Sequence, residues 1–451
     1  MVARPIPRPF HKPQDAVLPA SPSRTAFLAP DPHMARAQVP DTGWRWTPLA
    51  VKAIWVVLWV TLLCRASLDR PLDALDDAGL PGLGLVINLL IVAFGLVAAA
   101  IAPRGIAIIA LFAWLPYLAW MLVALGHTTN GAGGVRLYWQ IVTLPAIFLM
   151  AAVCTASGPR LQTLLRIVLL SVAVPSAFAL IQGLRHADDR TMATFTHPNI
   201  LASYLPCVLA ITPWMLKRGS GRRSPGYVAM VLLAAAAASL LLLGTETRSA
   251  WAVAALIFLL ACVMVERKAF LLLPLGALVL LAPPVQKRLS DVSHPEEVPA
   301  YLVTSGEVVV DSYTWRKTLW RDALEASKDD RALGKGLGAF NADSADFFSL
   351  NGATKQRWDA HSAYVQILYE SGYFGVVTYL WLWLAIAAAA TLQSLRGAPV
   401  AYPVYALVLT QLVIGYSDNI LFYLTPNWYC WGLIGAFLGA GWARTQPAKG
   451  A

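Results

Sequence analysis

A histidine at position 361 and arginines at 248, 316 and 136 are the residues whose type and setting could do chemistry in this chain. An imidazole titrates near neutrality and can take a proton from a hydroxyl. A guanidinium can grip two phosphate oxygens at once, which an ammonium cannot. His361 lies in Asp359-Ala360-His361-Ser362-Ala363-Tyr364, where a polar segment of about seventy residues returns to an apolar run. This predicts a place at a membrane surface, at the start of a helix over 362–371. A capping or interfacial histidine would occupy the same place.

Arg248 stands in the tight connection Gly244-Thr245-Glu246-Thr247-Arg248-Ser249-Ala250-Trp251, where phosphate binding competes with pairing to Glu246 or snorkelling to lipid headgroups. Arg316 stands in Ser312-Tyr313-Thr314-Trp315-Arg316-Lys317-Thr318-Leu319-Trp320-Arg321. Helical spacing puts Arg316 with Trp320 on one face and Lys317 with Arg321 on another. An amphipathic helix lying on anionic lipid explains that pattern equally well. Arg136, at the edge of an apolar run, could bind the same anion or be an ordinary anchor. Glu370 follows His361 by nine residues, which is about 13 Å along a helix axis and on the opposite face, so no relay within that helix is expected. The pairs Asp188-Asp189, Glu296-Glu297 and Asp329-Asp330 read as solvated loops. No carboxylate cluster or histidine pair has metal-ligand spacing, so neither a metal nor another cofactor is expected.

The elements that must hold these residues are membrane helices. The chain has 451 residues, of which 57% are hydrophobic and 13% charged, with a mean hydropathy of +0.57, which describes an all-α polytopic membrane protein. The net charge of +10 comes from basic residues in short connections, so no nucleic-acid partner is expected. The five cysteines each stand alone in an apolar run and read as small buried hydrophobes. Residues 1–47, rich in Pro, Arg and Ala, read as a disordered cytoplasmic tail.

Twelve segments approach the roughly 20 apolar residues that a crossing helix needs: 48–67, 82–102, 105–125, 137–155, 161–182, 199–216, 226–244, 249–265, 269–286, 373–395, 400–416 and 427–443. This divides the chain into helices 1–9 over 48–286, a large loop subdomain over 287–372, helices 10–12 over 373–444 and a cytoplasmic tail over 445–451. Positive residues stay on the cytoplasmic side, and Arg104, Arg160, Lys217 to Arg223, Arg267-Lys268, Arg396 and Arg444 fall in alternate connections. Both termini are then cytoplasmic. Connections 68–81, 127–134, 183–198, 244–249, 287–360 and 417–426 face the other side.

Four stretches make the chain resemble the bacterial O-antigen ligases of the O-antigen ligase and polymerase superfamily. They are His361-Ser362 followed after nine residues by Gly372-Tyr373-Phe374-Gly375, Thr194-Phe195-Thr196-His197-Pro198-Asn199, Thr245-Glu246-Thr247-Arg248-Ser249, and the Gly334–Phe340 turn after the Arg316 helix. The likeness runs from about residue 48 to the end. It implies an inverting, metal-independent membrane glycosyltransferase of the C type, in the bacterial inner membrane with a periplasmic active site. The donor would be a glycan on undecaprenyl pyrophosphate and the acceptor a sugar hydroxyl of lipid A-core. His361 would be the base, with Arg248, Arg316 and Arg136 on the pyrophosphate. Asp418, His197 and Asn199 would support the site or bind acceptor, and Asp418 could equally be an interface residue. Thr247 stands where the family often has serine, and a hydroxyl is retained. O-antigen polymerases and protein O-oligosaccharyltransferases share the pattern and the donor. A transporter of lipid-linked glycan is the alternative outside enzymes, although transporters place ionisable residues near the midplane.

Overall fold

The computed structural model describes residues 47–77, 82–157, 159–183, 190–218, 224–277, 281, 285–286 and 312–446. The expected tail over 1–47 lies outside the described residues but for Thr47. Fifteen helices follow in order among the described residues: α1 (Thr47–Asp77), α2 (Leu83–Ile101), α3 (Arg104–Gly126), α4 (Gly131–Ala156), α5 (Leu161–Leu170), α6 (Ala173–Gln182), α7 (Pro198–Arg218), α8 (Pro225–Gly244), α9 (Arg248–Met264), α10 (Leu273–Ala277), α11 (Ser312–Ala326), α12 (Ala339–Phe347), α13 (Ala363–Leu395), α14 (Ala401–Ser417) and α15 (Leu424–Thr445). Eight spans among them are long and apolar enough to cross a membrane, with α5 and α6 counting as one, and α9 and α14 are shorter apolar helices. The chain is a polytopic helical membrane protein.

α15 explains how the bundle is held together. It carries Pro, Asn, Trp and Tyr in its first two turns and is less apolar than the eight. Its residues Thr425 to Leu438 are nonetheless all buried, because protein rather than lipid surrounds it. Gly435 and Gly439 let it lie directly on α4: a Cβ at either would stand 2.2 Å from the carbonyl oxygen of Phe148 or Ala152. Small residues four apart are the usual device for such close helix approach in membranes. Thr155 Oγ1 donates to the Ala436 carbonyl at 2.9 Å and Trp428 Nε1 to Thr143 Oγ1 at 2.9 Å, so polar groups on the seam satisfy one another. Trp431 stacks on Trp383 of α13, with ring centroids 4.6 Å apart.

Departures from the expected boundaries have local causes. α1 continues some ten residues past its expected end at 67, because Asp69 is not a loop residue. It pairs with Arg65 at 3.5 Å, one turn back, and accepts from Thr196 N, Thr196 Oγ1 and Thr425 Oγ1 at 3.3, 3.2 and 2.8 Å. The ninth expected span, 269–286, is described only in part, as a 3₁₀ turn over Arg267–Leu272 and the five-residue α10. Gly372, with φ 66°, breaks α13 between an initial 363–371 helix and the long apolar stretch after it.

α11, α12 and the chain to 362 form a small layer with its own apolar cluster of Leu319, Ala323, Ala339, Phe340, Phe348, Ala360 and Tyr369. Phe347, Phe348 and Trp358 pack into this layer. It docks on the bundle through the Gly334–Gly338 turn. Leu337 N donates to the Ala124 carbonyl at 3.1 Å and Gly336 N to that of Glu370 at 2.9 Å. Gly336 and Gly338, with φ of 102° and 81°, lie so close to Thr128 and Gly134 that a Cβ would collide with backbone.

Asp69→Ala is expected to be strongly destabilising, by about 3–5 kcal/mol, since it strands the buried Arg65 guanidinium. Thr425→Ala removes one hydrogen bond and should cost about 1 kcal/mol. Thermal unfolding in detergent compares the two.

Candidate active site

Six stretches meet at one end of the bundle, and they match the connections expected on the side away from the cytoplasm. Backbone bonds tie them together: Arg70 N to Thr194 O at 3.1 Å, Thr191 N to Gly244 O at 2.8 Å and Leu337 N to Ala124 O at 3.1 Å. Thr425 Oγ1 reaches Asp69 at 2.8 Å, and Trp320 Nε1 of α11 donates to Ala360 O at 2.7 Å.

His361 stands at the junction of the α11 layer with α13. Ser362 caps the helix by accepting from Val365 N, so His361 lies just outside the first turn. Its φ of 48° is left-handed, a conformation that costs a non-glycine residue free energy and is found mostly where surroundings enforce it. Ala193 and Glu246, in neighbouring connections, share it at 52° and 51°. Trp315 packs crosswise against the imidazole, with ring centroids 5.4 Å apart and planes at 74°.

Asp418, following α14, is 1% exposed. Its Oδ1 accepts from Tyr423 Oη at 2.7 Å and from Asn419 N at 2.8 Å, and lies 3.9 Å from His361 Nδ1. That is an ion-pair contact longer than a hydrogen bond. His361 Nδ1 and Asp418 Oδ2 are both buried and unpartnered among the described residues, so a small movement would join them. With Nδ1 turned to the carboxylate, Nε2 is left for a reactant. Burial alone would raise the Asp418 carboxyl, but His361, Arg316 and the Tyr423 hydroxyl outweigh it and hold the group below its ordinary value. A depressed carboxyl stabilises the fold above the unfolded-state value. That contribution disappears as pH falls through the folded value, below the usual carboxylate range.

Arg316 is half-buried on the face of α11 that carries Trp320, while Lys317 and Arg321 face outward. Its charge acts on Asp418, Tyr423 and His197, yet it makes no hydrogen bond or ion pair among the described residues. His197 accepts from Asn199 N through Nδ1 at 3.1 Å, which puts any ring proton on Nε2. Burial, then Arg190, His361 and Arg316, lower its pKa against the opposing pull of Asp418. The ring keeps exposed surface, as a group at the mouth of a cleft would.

Asn199, 3% exposed, belongs to a knot that the sequence reading missed. Arg190 donates through Nε to Thr245 O at 2.8 Å, and through Nη2 to Asn199 Oδ1 at 2.8 Å and Thr247 Oγ1 at 3.0 Å. Thr247 is the N-cap residue of α9 and Arg248 its first residue, so the knot fixes where Arg248 begins. The signal was available: Arg190, like Arg248, is a basic residue in a connection expected on the non-cytoplasmic side. Arg136 is exposed on the second turn of α4. No hydrogen bond or ion pair among the described residues joins it to the His361 group.

The structure therefore brings His361, Asp418, Arg316 and His197 together, with the Arg190–Asn199–Thr247 knot linked to His197 through Asn199. Of the acidic pairs, Asp329 and Asp330 are exposed, Asp330 lying 3.4 Å from Lys335; the other two pairs lie outside the described residues. Among the described residues no three His, Cys, Asp or Glu side chains are grouped to hold a metal ion. A base facing a buried carboxylate, beside a guanidinium with no ion-pair partner among the described residues, can deprotonate a hydroxyl and receive a phosphate-bearing leaving group.

Residues 231–380 match the protein family described as O-antigen ligase. The matched segment carries Arg248, Arg316 and His361, and leaves out Arg190, His197, Asn199 and Asp418. No curated protein matches the chain.

Proposed function

Starting from the O-antigen ligase family pattern carried by residues 231–380, we propose that the protein is a membrane glycosyltransferase that moves a finished glycan from undecaprenyl pyrophosphate to a sugar hydroxyl of lipid A-core. The site would face the periplasm from the bacterial inner membrane, with both termini in the cytoplasm. The observation that carries this reading is Arg316, half-buried and without an ion-pair partner among the described residues, beside the His361–Asp418 pair.

In this reading His361 Nε2 takes the proton of the acceptor hydroxyl, whose oxygen attacks the anomeric carbon from the face opposite the pyrophosphate. The bond from that carbon to the leaving oxygen breaks, its electron pair departs with undecaprenyl pyrophosphate, and the configuration inverts. Asp418 stabilises the imidazolium that forms. Arg316 and Arg248 meet the negative charge growing on the pyrophosphate, and fixed donors are most effective where little water competes. Arg136 would take at most a peripheral part in holding the donor. No metal ion is required, because guanidinium groups neutralise the leaving group.

The test is a host strain lacking the gene, complemented with wild type or His361→Ala, with its lipopolysaccharide and lipid-linked glycans resolved on gels. Deletion and His361→Ala should both lack polymer on lipid A-core and accumulate full-length polymer on the carrier. Core bearing a single repeat unit would instead identify a polymerase, and an unchanged profile would leave proteins as acceptors or transport without transfer. In the purified reaction, a chelator should leave the rate unaltered.

A further inference from the structure

A second carboxylate lies behind the first, at the end of a buried chain of hydrogen bonds. Glu370 on α13 is 2% exposed, and its Oε1 accepts from Gln366 Nε2 at 2.7 Å and Phe340 N at 3.3 Å. Gln366 turns its Oε1 to Asn419 Nδ2 at 2.7 Å, and Asn419 N donates to Asp418 Oδ1 at 2.8 Å. Gln366, Asn419 and Asp418 are each 2% exposed or less. A direct contact along α13 between Glu370 and His361 is ruled out by helix geometry, but this path leaves the helix and returns by way of Asn419.

The chain has a direction. Glu370 Oε1 accepts both bonds that reach it, so the Gln366 amide offers it nitrogen and therefore offers Asn419 oxygen. Turning the Gln366 amide over would set two acceptors against each other at one end and two donors at the other. The orientation of the Asn419 side chain, whose own backbone N–H meets Asp418, thus follows from a carboxyl group two residues before the Gly372 break. A carboxylate is costly to bury, and capping Phe340 N would need only a neutral acceptor. Tyr117 of α3 lines the same cavity as Gln366 and Glu370, and Asp359 also acts on Glu370. The groups acting on Asp418 are His361, Arg316 and Tyr423.

We infer that Glu370 is a positioning residue for glycosyl transfer, setting Asp418 against His361 through Gln366 and Asn419. This rests on the reading of His361 as the base. The experiment compares full-length Glu370→Gln, Gln366→Leu, Asp418→Asn, the Glu370→Gln/Asp418→Asn double variant and His361→Ala, with transfer rate measured against pH and against donor concentration. Glu370→Gln is expected to lower kcat about tenfold, the scale of one hydrogen bond to a charged group, with donor KM unchanged. It should displace the acid limb of the pH–rate profile in the same direction as Asp418→Asn. Gln366→Leu, which cuts the chain without touching the Phe340 contact, should do the same and carries the test should Glu370→Gln fold poorly. The double variant should be no slower than Asp418→Asn alone, since residues acting as one unit are not additive. Additive losses, or an unmoved pH profile in both chain variants, would show that Glu370 only holds the turn, and would overturn the inference. An active His361→Ala would overturn the base reading itself, and this inference with it.

Discussion

His361→Ala is expected to lower the transfer rate by about 10²–10⁴-fold, the range a well-placed general base contributes, without loss of inserted, folded protein. The imidazole packs crosswise on Trp315 with ring centroids 5.4 Å apart and its side chain is 26% exposed, so removing it opens no large void. The backbone there is left-handed at φ 48°, and alanine tolerates that no better than histidine. His361→Gly relaxes the strain and should be at least as stable as His361→Ala while equally inactive. Rate per folded molecule, with folding followed by thermal unfolding, separates a lost base from a lost fold. Appreciable turnover by His361→Gly would end the case for the base.

Arg316→Ala should cost about 10²–10³ in kcat, the scale for removing one donor from a developing oxyanion. Arg316→Lys should recover only part of it, because an ammonium cannot bridge two phosphate oxygens. The expectation comes from what Arg316 lacks as much as from where it sits. A half-buried guanidinium with no ion-pair partner among the described residues carries a desolvation cost that a bound anion would offset. Its removal trades that cost against the lost attraction for the Asp418 carboxylate, so the stability of the free protein should change little. A lysine enzyme with the wild-type rate and donor KM would mean that the fork geometry is irrelevant.

The parts of the site legible in the sequence are those whose chemistry contradicts their surroundings. Arg248 and Arg316 are cations in connections that the charge pattern assigns to the non-cytoplasmic side, and His361 begins an apolar run. Asp418 stood out only through family likeness, and the structure supplies its reason in the approach to His361. Arg190 obeyed the same charge logic and was passed over because no motif surrounded it. The Gln366–Glu370 chain was illegible for a different reason: its partner Asn419 is 53 residues from Gln366, and local spacing carries no information about such a contact. Most of the helices could be read from apolar length. α1 exceeded its apolar run because Asp69, which reads in sequence as part of the next connection, pairs with Arg65 one turn back and accepts from neighbouring connections. The start of α13 and its internal break were clear, since Ser362 caps the helix and Gly372 interrupts it.

The seam between α15 and α4 also bears on how the chain enters its membrane. A segment with Pro, Asn, Trp and Tyr in its first two turns partitions poorly into lipid by itself, and its neighbours must already offer the groove that Gly435 and Gly439 fit. The insertion of α15 thus depends on helices that precede it in the chain. Damage to the small-residue face of α4, around Ala152, would register first in biogenesis, as α15 left outside the bilayer and open to proteolysis, long before any step of sugar transfer could be measured.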